Sequence, residues 1–596
     1  MHSSIKPYSY LALRLPSETL KIVQLVPNAV ISIGKYGTFQ ANHLLGRPYN
    51  LTYEIVDDIK SQQHGGLRVV PASELHAEVL ADGTATPTVE GEEDRPETGE
   101  EYEVVGEDGE VIMRTNRQTI DDPTSQKMTF EEIEALKKEG SGAGKDLIAK
   151  LLSSHSAIDQ KTAFSLAKYT LRKTRKYARR FTVLPLDIPL FTEWLLAEKE
   201  PMRSLDLRDE LIGLIGSWAN IRCSASEPQV LEDGISKVGG GRWLVVDETG
   251  GLIVAAMAER LGILYPPEED DSDSDSESEE PENPAPTTTA AATGNSASTT
   301  ATQEAINDDV DMTAPEPAEA PSASAPASAP APSRQPHHHH HHHPVPQSAT
   351  RNTLTLLHAN AQPNLSLLKY FLFDASTPSP SHPLHDHLKM LSWLQLLSPE
   401  DDNGYTEPER VPDDIIKTWK SGKRGTYFRK RRRWERIRAV VDETRAGGFD
   451  GLIVASVMNP VTILQHTLPL LRGAAQVVVY SPTVEPLTEL ADCFSTARRT
   501  AFVTMQAEAT MDDQSISKDD FPINPTLLLA PSIQTSRVRE YQVLPGRTHP
   551  LMTSRGNSEG YVFTGTRVLP AEGKVEARGK NKRRKLVGER SSETPA

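Results

Sequence analysis

One stretch near the middle of the chain constrains its fold more than any other: Arg242-Trp-Leu-Val-Val-Asp-Glu-Thr-Gly-Gly-Leu-Ile-Val254. An apolar run ends in an acidic pair and two glycines, then reopens as a small-residue helical pattern over 252–261. A buried strand, a glycine turn and a helix in that order open the ligand crevice of a parallel α/β sheet. Later stretches repeat the pattern. Asn352-Thr-Leu-Thr-Leu-Leu-His358, Phe449-Asp-Gly-Leu-Ile-Val-Ala-Ser456 and Gln476-Val-Val-Val-Tyr480 read as further buried strands. Residues 205–218, 227–234, 461–471 and 483–494 read as helices. Short apolar runs alternating with helices are the mark of a sheet buried on both faces.

The fold class this predicts is α/β plus β, with a Rossmann-like domain split into 181–265 and 350–570. Between the halves, 266–349 is low in complexity: an alternating Asp-Ser run, Ala/Pro/Ser/Thr repeats and seven histidines, His337 to His343. Such a segment cannot form a core and is expected to be disordered, so it interrupts one domain and does not separate two. The histidine run could hold Ni²⁺ or Zn²⁺ loosely, and no structural metal is assigned to it. The two cysteines, Cys223 and Cys493, have no metal-ligand spacing, which fits a reducing compartment without a disulfide scaffold. The N-terminus, Met1-His-Ser-Ser-Ile-Lys-Pro7, lacks the regions of a signal peptide, and no run of about twenty apolar residues predicts a membrane span.

The net charge of −18 is unevenly spread. Residues 82–110 hold 12 acidic side chains against Arg95 alone, and 268–319 hold 16 with no Lys or Arg. Without these tracts the remainder carries +9. The parts expected to fold are therefore basic, which reverses the first impression of hostility to nucleic acid.

Residues 1–120 contain short strands at Tyr10-Leu-Ala-Leu-Arg-Leu15, Leu20-Lys-Ile-Val-Gln-Leu-Val26, Ala29-Val-Ile-Ser-Ile33 and Asn50-Leu-Thr-Tyr-Glu-Ile-Val56. Turn residues separate them, and the pattern predicts a small antiparallel β-barrel, resumed at 67–70 and 111–115 around an acidic insertion over about 80–110. With no interleaved aromatics and cations, it reads as a scaffold. A helical basic connector spans 121–180. Thr129-Phe-Glu-Glu132 has the capping-box pattern, and a second helix covers 146–152. The intervening Gly140-Ser-Gly-Ala-Gly-Lys-Asp146 fails as a phosphate loop: its spacing is short, Asp146 replaces the hydroxyl, and no strand precedes it.

Residues 161–180 hold eight cations and no anion. On a helical wheel Ala163, Phe164, Ala167, Leu171 and Ala178 share one face; Lys168, Arg172, Arg175 and Arg179 form a stripe beside it, widened by Lys173, Lys176 and Arg180. Like charges this close repel unless a polyanion lies opposite. The alternatives are a solvated helix or a localisation signal; phosphate-backbone binding is preferred. A second cluster, 417–438, holds eleven cations, one anion and the rings Tyr427, Phe428 and Trp434. Arg429 and Arg431 within it read as contacts to single-stranded or looped RNA, with a bipartite import signal as the competing reading. The tail 571–596 carries Lys580-Asn-Lys-Arg-Arg-Lys585, a nuclear-import pattern.

Several stretches together carry a resemblance: Tyr10-Leu-Ala-Leu-Arg-Leu-Pro-Ser-Glu-Thr-Leu-Lys21, Ile31-Ser-Ile-Gly-Lys-Tyr-Gly37, Gly46-Arg-Pro-Tyr49, Val246-Asp-Glu-Thr-Gly-Gly-Leu252, Val479-Tyr-Ser-Pro-Thr-Val-Glu-Pro-Leu487 and Arg539-Glu-Tyr-Gln-Val-Leu-Pro-Gly-Arg-Thr-His-Pro-Leu551. The chain resembles the non-catalytic subunits of the eukaryotic tRNA (adenine-N1-)-methyltransferases, which modify the T-loop adenosine at tRNA position 58. The resemblance implies a methyltransferase-type domain, tRNA binding and a nuclear complex. It also implies a homologous catalytic subunit holding S-adenosylmethionine, as a 2+2 heterotetramer. No cofactor, catalytic residue or metal is expected on this chain, and no membrane.

The residues agree with a silent site. Asp247-Glu248-Thr249-Gly250-Gly251 lacks the closely spaced glycines of a working cofactor loop. The second strand ends without a carboxylate, Asn360 being a weak substitute, and the fourth ends Ser456-Val-Met-Asn-Pro460 with no acid. Alongside the 161–180 stripe, Arg537, Arg539, Tyr541, Arg547 and His549 read as RNA contacts; alternatively, 541–544 is a core strand with solvated flanking arginines. Two rival functions stay open on the sequence alone: a self-sufficient S-adenosylmethionine-dependent RNA methyltransferase, and an RNA-binding translation or assembly factor on a degenerate fold.

Overall fold

In the computed structural model the described residues are 4–56, 66–75, 104–105, 111–112, 126–139, 144–155, 163–198, 201–224, 226–266, 349–512, 520–539, 541–544, 547–550 and 558–569. The low-complexity interruption, the basic tail, and nearly all of the acidic insertion lie outside them, as does loop 140–143.

The N-terminal strands are β1 (Tyr10–Arg14), β2 (Leu20–Gln24), β3 (Val30–Ser32), β4 (Thr38–Gln40), β5 (Leu51–Val56) and β6 (Gly66–Val69). Among the described residues β7 (Val104–Val105) and β8 (Val111–Ile112) pair only with each other, so 111–112 does not rejoin the sheet as expected. After three connector helices, α1 (Phe130–Glu139), α2 (Lys145–Ser153) and α3 (Ala163–Tyr177), the chain returns as β9 (Arg180–Pro185). Periodicity assigns this strand to the α/β domain. Instead it is the centre of an antiparallel sheet ordered β2-β1-β9-β5-β6. Among the described residues no pairing joins β2 to β6, so the sheet is open and the predicted barrel does not close.

Alternation explains how that sheet is used. Leu11, Leu13, Phe181 and Val183 turn to one side and pack with Phe39 and Tyr53, the Phe39 and Phe181 rings stacking 4.8 Å apart. Ala12 and Leu184 turn to the other side, against α4 (Ile188–Glu198), where Phe191, Trp194 and Leu195 belong to the α/β core. The N-terminal sheet is thus clamped between its own hairpin and the next domain.

The connector follows the capping chemistry. The Thr129 N–H donates to Glu132 Oε2 at 2.9 Å, and the Glu132 N–H donates to Thr129 Oγ1 at 3.3 Å, the reciprocal box that starts α1. Gly144 precedes α2 at φ +81°, and a Cβ there would lie 2.2 Å from the Tyr177 carbonyl oxygen at the end of α3. Gly144→Ala should therefore loosen the α2–α3 contact at a cost of about 1–3 kcal/mol, from backbone strain and overpacking. Hydrogen exchange of the α2 and α3 amides measures it; unchanged protection would refute this packing.

The α/β domain continues with α5 (Asp209–Trp218), β10 (Gln229–Val230), β11 (Lys237–Val238), β12 (Arg242–Asp247), α6 (Leu252–Arg260), β13 (Thr353–His358) and β14 (Leu388–Ser392). Beyond these come α7 (Ser421–Ala446), β15 (Phe449–Ala455), α8 (Pro460–Thr467), β16 (Leu471–Ser481), α9 (Glu485–Cys493), α10 (Thr496–Asp512), β17 (Leu528–Gln534), β18 (Tyr541–Leu544), β19 (Arg547–Pro550) and β20 (Tyr561–Arg567). The helix expected over 227–234 is instead the β10–β11 hairpin. The Asp233-Gly234 turn reverses the chain, with Gly234 at φ +71° and Asp233 Oδ1 accepting from the Ile235 and Ser236 N–H groups. Of 205–218 only α5 is helical, because Leu205 and Asp206 sit at φ +54° and +56°.

The seven-stranded sheet runs β14-β13-β12-β15-β16-β20-β17. The first five strands are parallel, and β20 is antiparallel to both of its neighbours. β12 and β13 pair directly, with Trp243 opposite Leu354, so residues 267–348 interrupt one sheet. On β12, Trp243 and Val245 face the α4–α5–α6 layer while Leu244 and Val246 face the α8–α9 layer. Burial on both faces is why the strand reads as an unbroken apolar run. Gly451 lies opposite Trp243, and a Cβ there would meet the indole at 2.8 Å.

Candidate functional site

The strand order reverses at β12, whose neighbours are β13 on one side and β15 on the other. In such a sheet a ligand enters the crevice beyond the carboxyl ends of these strands. Here that crevice is closed by the chain's own side chains. Glu248 reaches across it: its Oε2 accepts from the Ser456 hydroxyl and the Val457 N–H, both at 2.8 Å, tying the end of β12 to the end of β15. Asp247 is turned inward. Its Oδ1 accepts from the Thr249 hydroxyl and, at 2.7 Å, from the Thr249 N–H, while Oδ2 accepts from the Val254 N–H at 3.1 Å. Burial pushes its carboxyl above the ordinary range, with those hydrogen bonds pulling the other way.

Thr249, fully buried, also accepts from the Ile253 N–H at 3.4 Å. Two first-turn donors of α6 are thereby used internally and not offered to an anion. The glycines of the turn are covered as well. Gly250 and Gly251 adopt φ +76° and +93°; Cβ atoms there would meet Leu367 at 3.2 Å and Leu365 at 3.0 Å. The Leu367 N–H donates to the Gly250 carbonyl at 3.1 Å, so the loop after β13 is folded down onto the turn.

The second-strand end supplies His358, whose Nδ1 lies 2.7 Å from the Asn360 carbonyl, and an exposed Asn360. At the fourth strand Asn459 caps α8 by accepting from the Val461 N–H, with Pro460 in the first turn. The residues present do not fit S-adenosylmethionine at this turn. Sequence reasoning finds the missing acid and glycine spacing but misses Glu248 as a bridge and Leu365 and Leu367 as a filling. The apolar Leu365-Ser-Leu-Leu368 in a loop position is the signal that could have shown them.

The structure brings two of the three expected cationic groups together. β18 and β19 form a hairpin apart from the main sheet, and β18 lies alongside α3. Tyr541 is 57% exposed and Val543 72%, so 541–544 is not a core strand. Arg539 is exposed, His549 is half-buried, and Arg537 pairs with Glu559. Arg547 falls on β19, and its side chain lies outside the described residues.

On α3, Arg172 and Lys176 are exposed, while Lys168, Lys173 and Arg175 are half-buried; Lys173 lies over the Tyr169 ring at 4.8 Å. Helix ends at Tyr177, which changes the stripe: Arg179 is half-buried with its Nε 3.5 Å from the Tyr36 carbonyl. Arg180 belongs to β9 and pairs with Glu54 and Glu74, both at 3.4 Å, holding β5, β9 and the helical turn after β6 together. The third group, Arg429 and Arg431, lies on α7, which packs on β14 at the far edge of the sheet. Arg429 is exposed, and Arg431 pairs with Glu435 at 3.3 Å. Among the described residues no cluster of His, Cys, Asp and Glu could hold a metal, and no helix is long and apolar enough to cross a membrane.

A Rossmann-like, methyltransferase-type sheet with its cofactor crevice filled, carrying a cationic helix and hairpin, defines a class of methyltransferase-fold proteins without a working cofactor turn. The model of the Gcd10p family matches residues 4–420. The chain belongs to that family. It is 48% identical to a protein of Aspergillus fumigatus named tRNA (adenine(58)-N(1))-methyltransferase non-catalytic subunit trm6, over 100% of this chain and 98% of the relative. The Aspergillus oryzae protein of the same name is 46% identical over 100% and 97%, and that of Schizosaccharomyces pombe 26% over 99% and 97%. Among solved structures, a tRNA (m1A58) methyltransferase from Aquifex aeolicus superposes with a TM-score of 0.34 at 8% identity, covering 95% of this chain and 100% of that one. A likeness at that level carries no argument.

Proposed function

We infer that this chain is the non-catalytic, tRNA-binding subunit of a tRNA (adenine-N1-)-methyltransferase complex that forms N1-methyladenosine at tRNA position 58. The observation that carries the reading is identity over the whole length to relatives bearing that name. The filled crevice supports it independently, since a subunit that does not transfer a methyl group has no need of an open cofactor turn. S-adenosylmethionine then belongs to a homologous catalytic partner, and we propose two copies of each subunit in a nuclear complex.

In this role α3 and the β18–β19 hairpin present cations that hold phosphates. Such contacts set affinity and register and carry no base specificity. The pair Arg172 and Lys176 is the safest probe, because both side chains are exposed. Arg172→Glu/Lys176→Glu should make the plot of log K against log[salt] shallower by about 1.4–1.8, at roughly 0.7–0.9 for each phosphate no longer neutralised. Unrelated tRNAs should be affected equally. Co-purification of the full chain with a methyltransferase subunit, followed by methylation of tRNA, tests the assignment as a whole. The absence of a stoichiometric partner, or unchanged tRNA affinity in the double variant, would count against it.

A further inference from the structure

The helix α7 runs for 26 residues, about 39 Å, and its charges are not distributed as on a solvated helix. Arg429, Arg432, Arg433 and Arg436 follow the spacing i, i+3, i+4, i+7, which lines them up on one face over about 10 Å. All four are exposed. Among the described residues none of them has an acidic partner, whereas their neighbours Arg431 and Arg438 are tied to Glu435 and Asp442. Arg431 and Arg438, on the far side of the helix, are compensated, whereas the stripe, with exposed Lys430 beside it, is not. Repulsion within such a row is relieved by an opposing polyanion.

Two of the three aromatic rings that suggested single-stranded RNA have other duties, while Phe428 stays 38% exposed. Trp434 is buried, and its Nε1 donates to the Tyr405 carbonyl at 2.9 Å. Tyr427 accepts from the Val411 N–H at 3.3 Å and sits edge-on to Trp419 and Phe428, at 5.6 and 5.5 Å. Lys423 lies over the Trp419 ring at 4.2 Å. These contacts anchor the helix. What the helix chiefly offers a ligand is a rigid row of guanidinium groups, suited to the phosphates of a duplex, which is recognised through backbone and shape.

The import-signal reading also loses ground. A linear signal is read as an accessible extended segment, and unwinding α7 here would break the Trp434–Tyr405 bond and uncover Val441 and Thr444.

We propose that Arg429, Arg432, Arg433 and Arg436 form a second phosphate-binding surface that engages a double-helical part of the RNA ligand, separate from α3 and the hairpin. It rests on the RNA-binding reading above. α7 packs on β14 at one edge of the seven-stranded sheet, whereas the hairpin packs beside α3.

The test compares Arg429→Gln/Arg432→Gln/Arg433→Gln/Arg436→Gln with Arg172→Glu/Lys176→Glu in the purified full-length complex. tRNA binding is measured from 50 to 200 mM salt, with a stem-loop RNA and an unstructured RNA of equal length as competitors. If each arginine holds one phosphate, the salt slope of the fourfold variant falls by about 3, and the drop in affinity across that salt range shrinks by roughly 50- to 100-fold. The stem-loop's advantage as a competitor should fall with it. Affinity unchanged in the fourfold variant but reduced in the α3 variant overturns the second surface and leaves the function standing. Affinity unchanged in both overturns the RNA-binding reading as well. Nuclear accumulation abolished with tRNA affinity intact overturns the proposal in favour of an import signal.

Discussion

Replacing Glu443 by alanine is expected to lower the unfolding free energy by about 3–5 kcal/mol, because it strands a buried charge. Glu443, near the end of α7, faces three cations: Lys389 at 2.8 Å, Arg242 at 3.2 Å and Lys237 at 3.3 Å. Arg242 opens β12 and is 2% exposed, held over the Phe449 ring at 4.5 Å, with its Nε lacking a partner. Glu443 is its chief compensating charge, with Asp450 a smaller one, and the Lys237 and Gly447 carbonyls accept from the guanidinium at 2.5 and 2.9 Å. Denaturant or thermal unfolding of the variant measures the loss. A shift under about 1 kcal/mol, the scale of an exposed pair, would mean that the cations find other partners.

The same cluster gives a pH dependence with a definite sign. Burial alone would raise the Glu443 carboxyl; the Lys389 hydrogen bond and the surrounding cations reverse that and hold it below the ordinary Glu range. A depressed carboxylate contributes stability that is present above its unfolded value, near pH 4.5, and is lost as pH falls through the lower folded value. Glu443→Gln should remove that part of the acid-side loss.

How much of this was legible in the chain depends on the range of the interaction. β12, β13, β15 and β16 are readable because both faces are buried, so each carries a run of consecutive apolar residues such as Trp243 to Val246 or Val477 to Tyr480. β9 is not, since its partners β1 and β5 lie more than 120 residues upstream and periodicity carries no information about pairing at that distance. Arg180 is misplaced for the same reason: a helical wheel continued to 180 is a sound local inference, yet the helix stops at Tyr177 and the next side chains serve the sheet. Rings interleaved with cations look alike in sequence whether they stack on bases or anchor a helix, and only Tyr405 and Val411 distinguish the two. The silent crevice is half visible. Missing acids are a property of positions, whereas Leu365 and Leu367 matter only through the path of their loop.

That path makes the second large prediction. Leu365 and Leu367 are 5% and 9% exposed and rest on the glycine turn, so Leu365→Ala/Leu367→Ala should cost about 4 kcal/mol or more, each deletion lying within the roughly 2–5 kcal/mol seen for buried leucines. The space so opened should still not bind S-adenosylmethionine. Asp247 remains committed to Thr249 and Val254, Glu248 remains tied across the crevice to Ser456 and Val457, and the end of β13 supplies no carboxylate for a ribose. Calorimetry should therefore show no saturable heat up to millimolar cofactor for either the wild-type chain or the variant. Against a micromolar site that is a deficit of about 4 kcal/mol or more. Micromolar binding by the isolated wild-type chain would require the β13 loop to lift off the turn, and would restore the self-sufficient methyltransferase as the better reading. Binding gained only in the double variant would instead show that the two leucines alone keep the cofactor out, with Glu248 and Asp247 incidental to the silence.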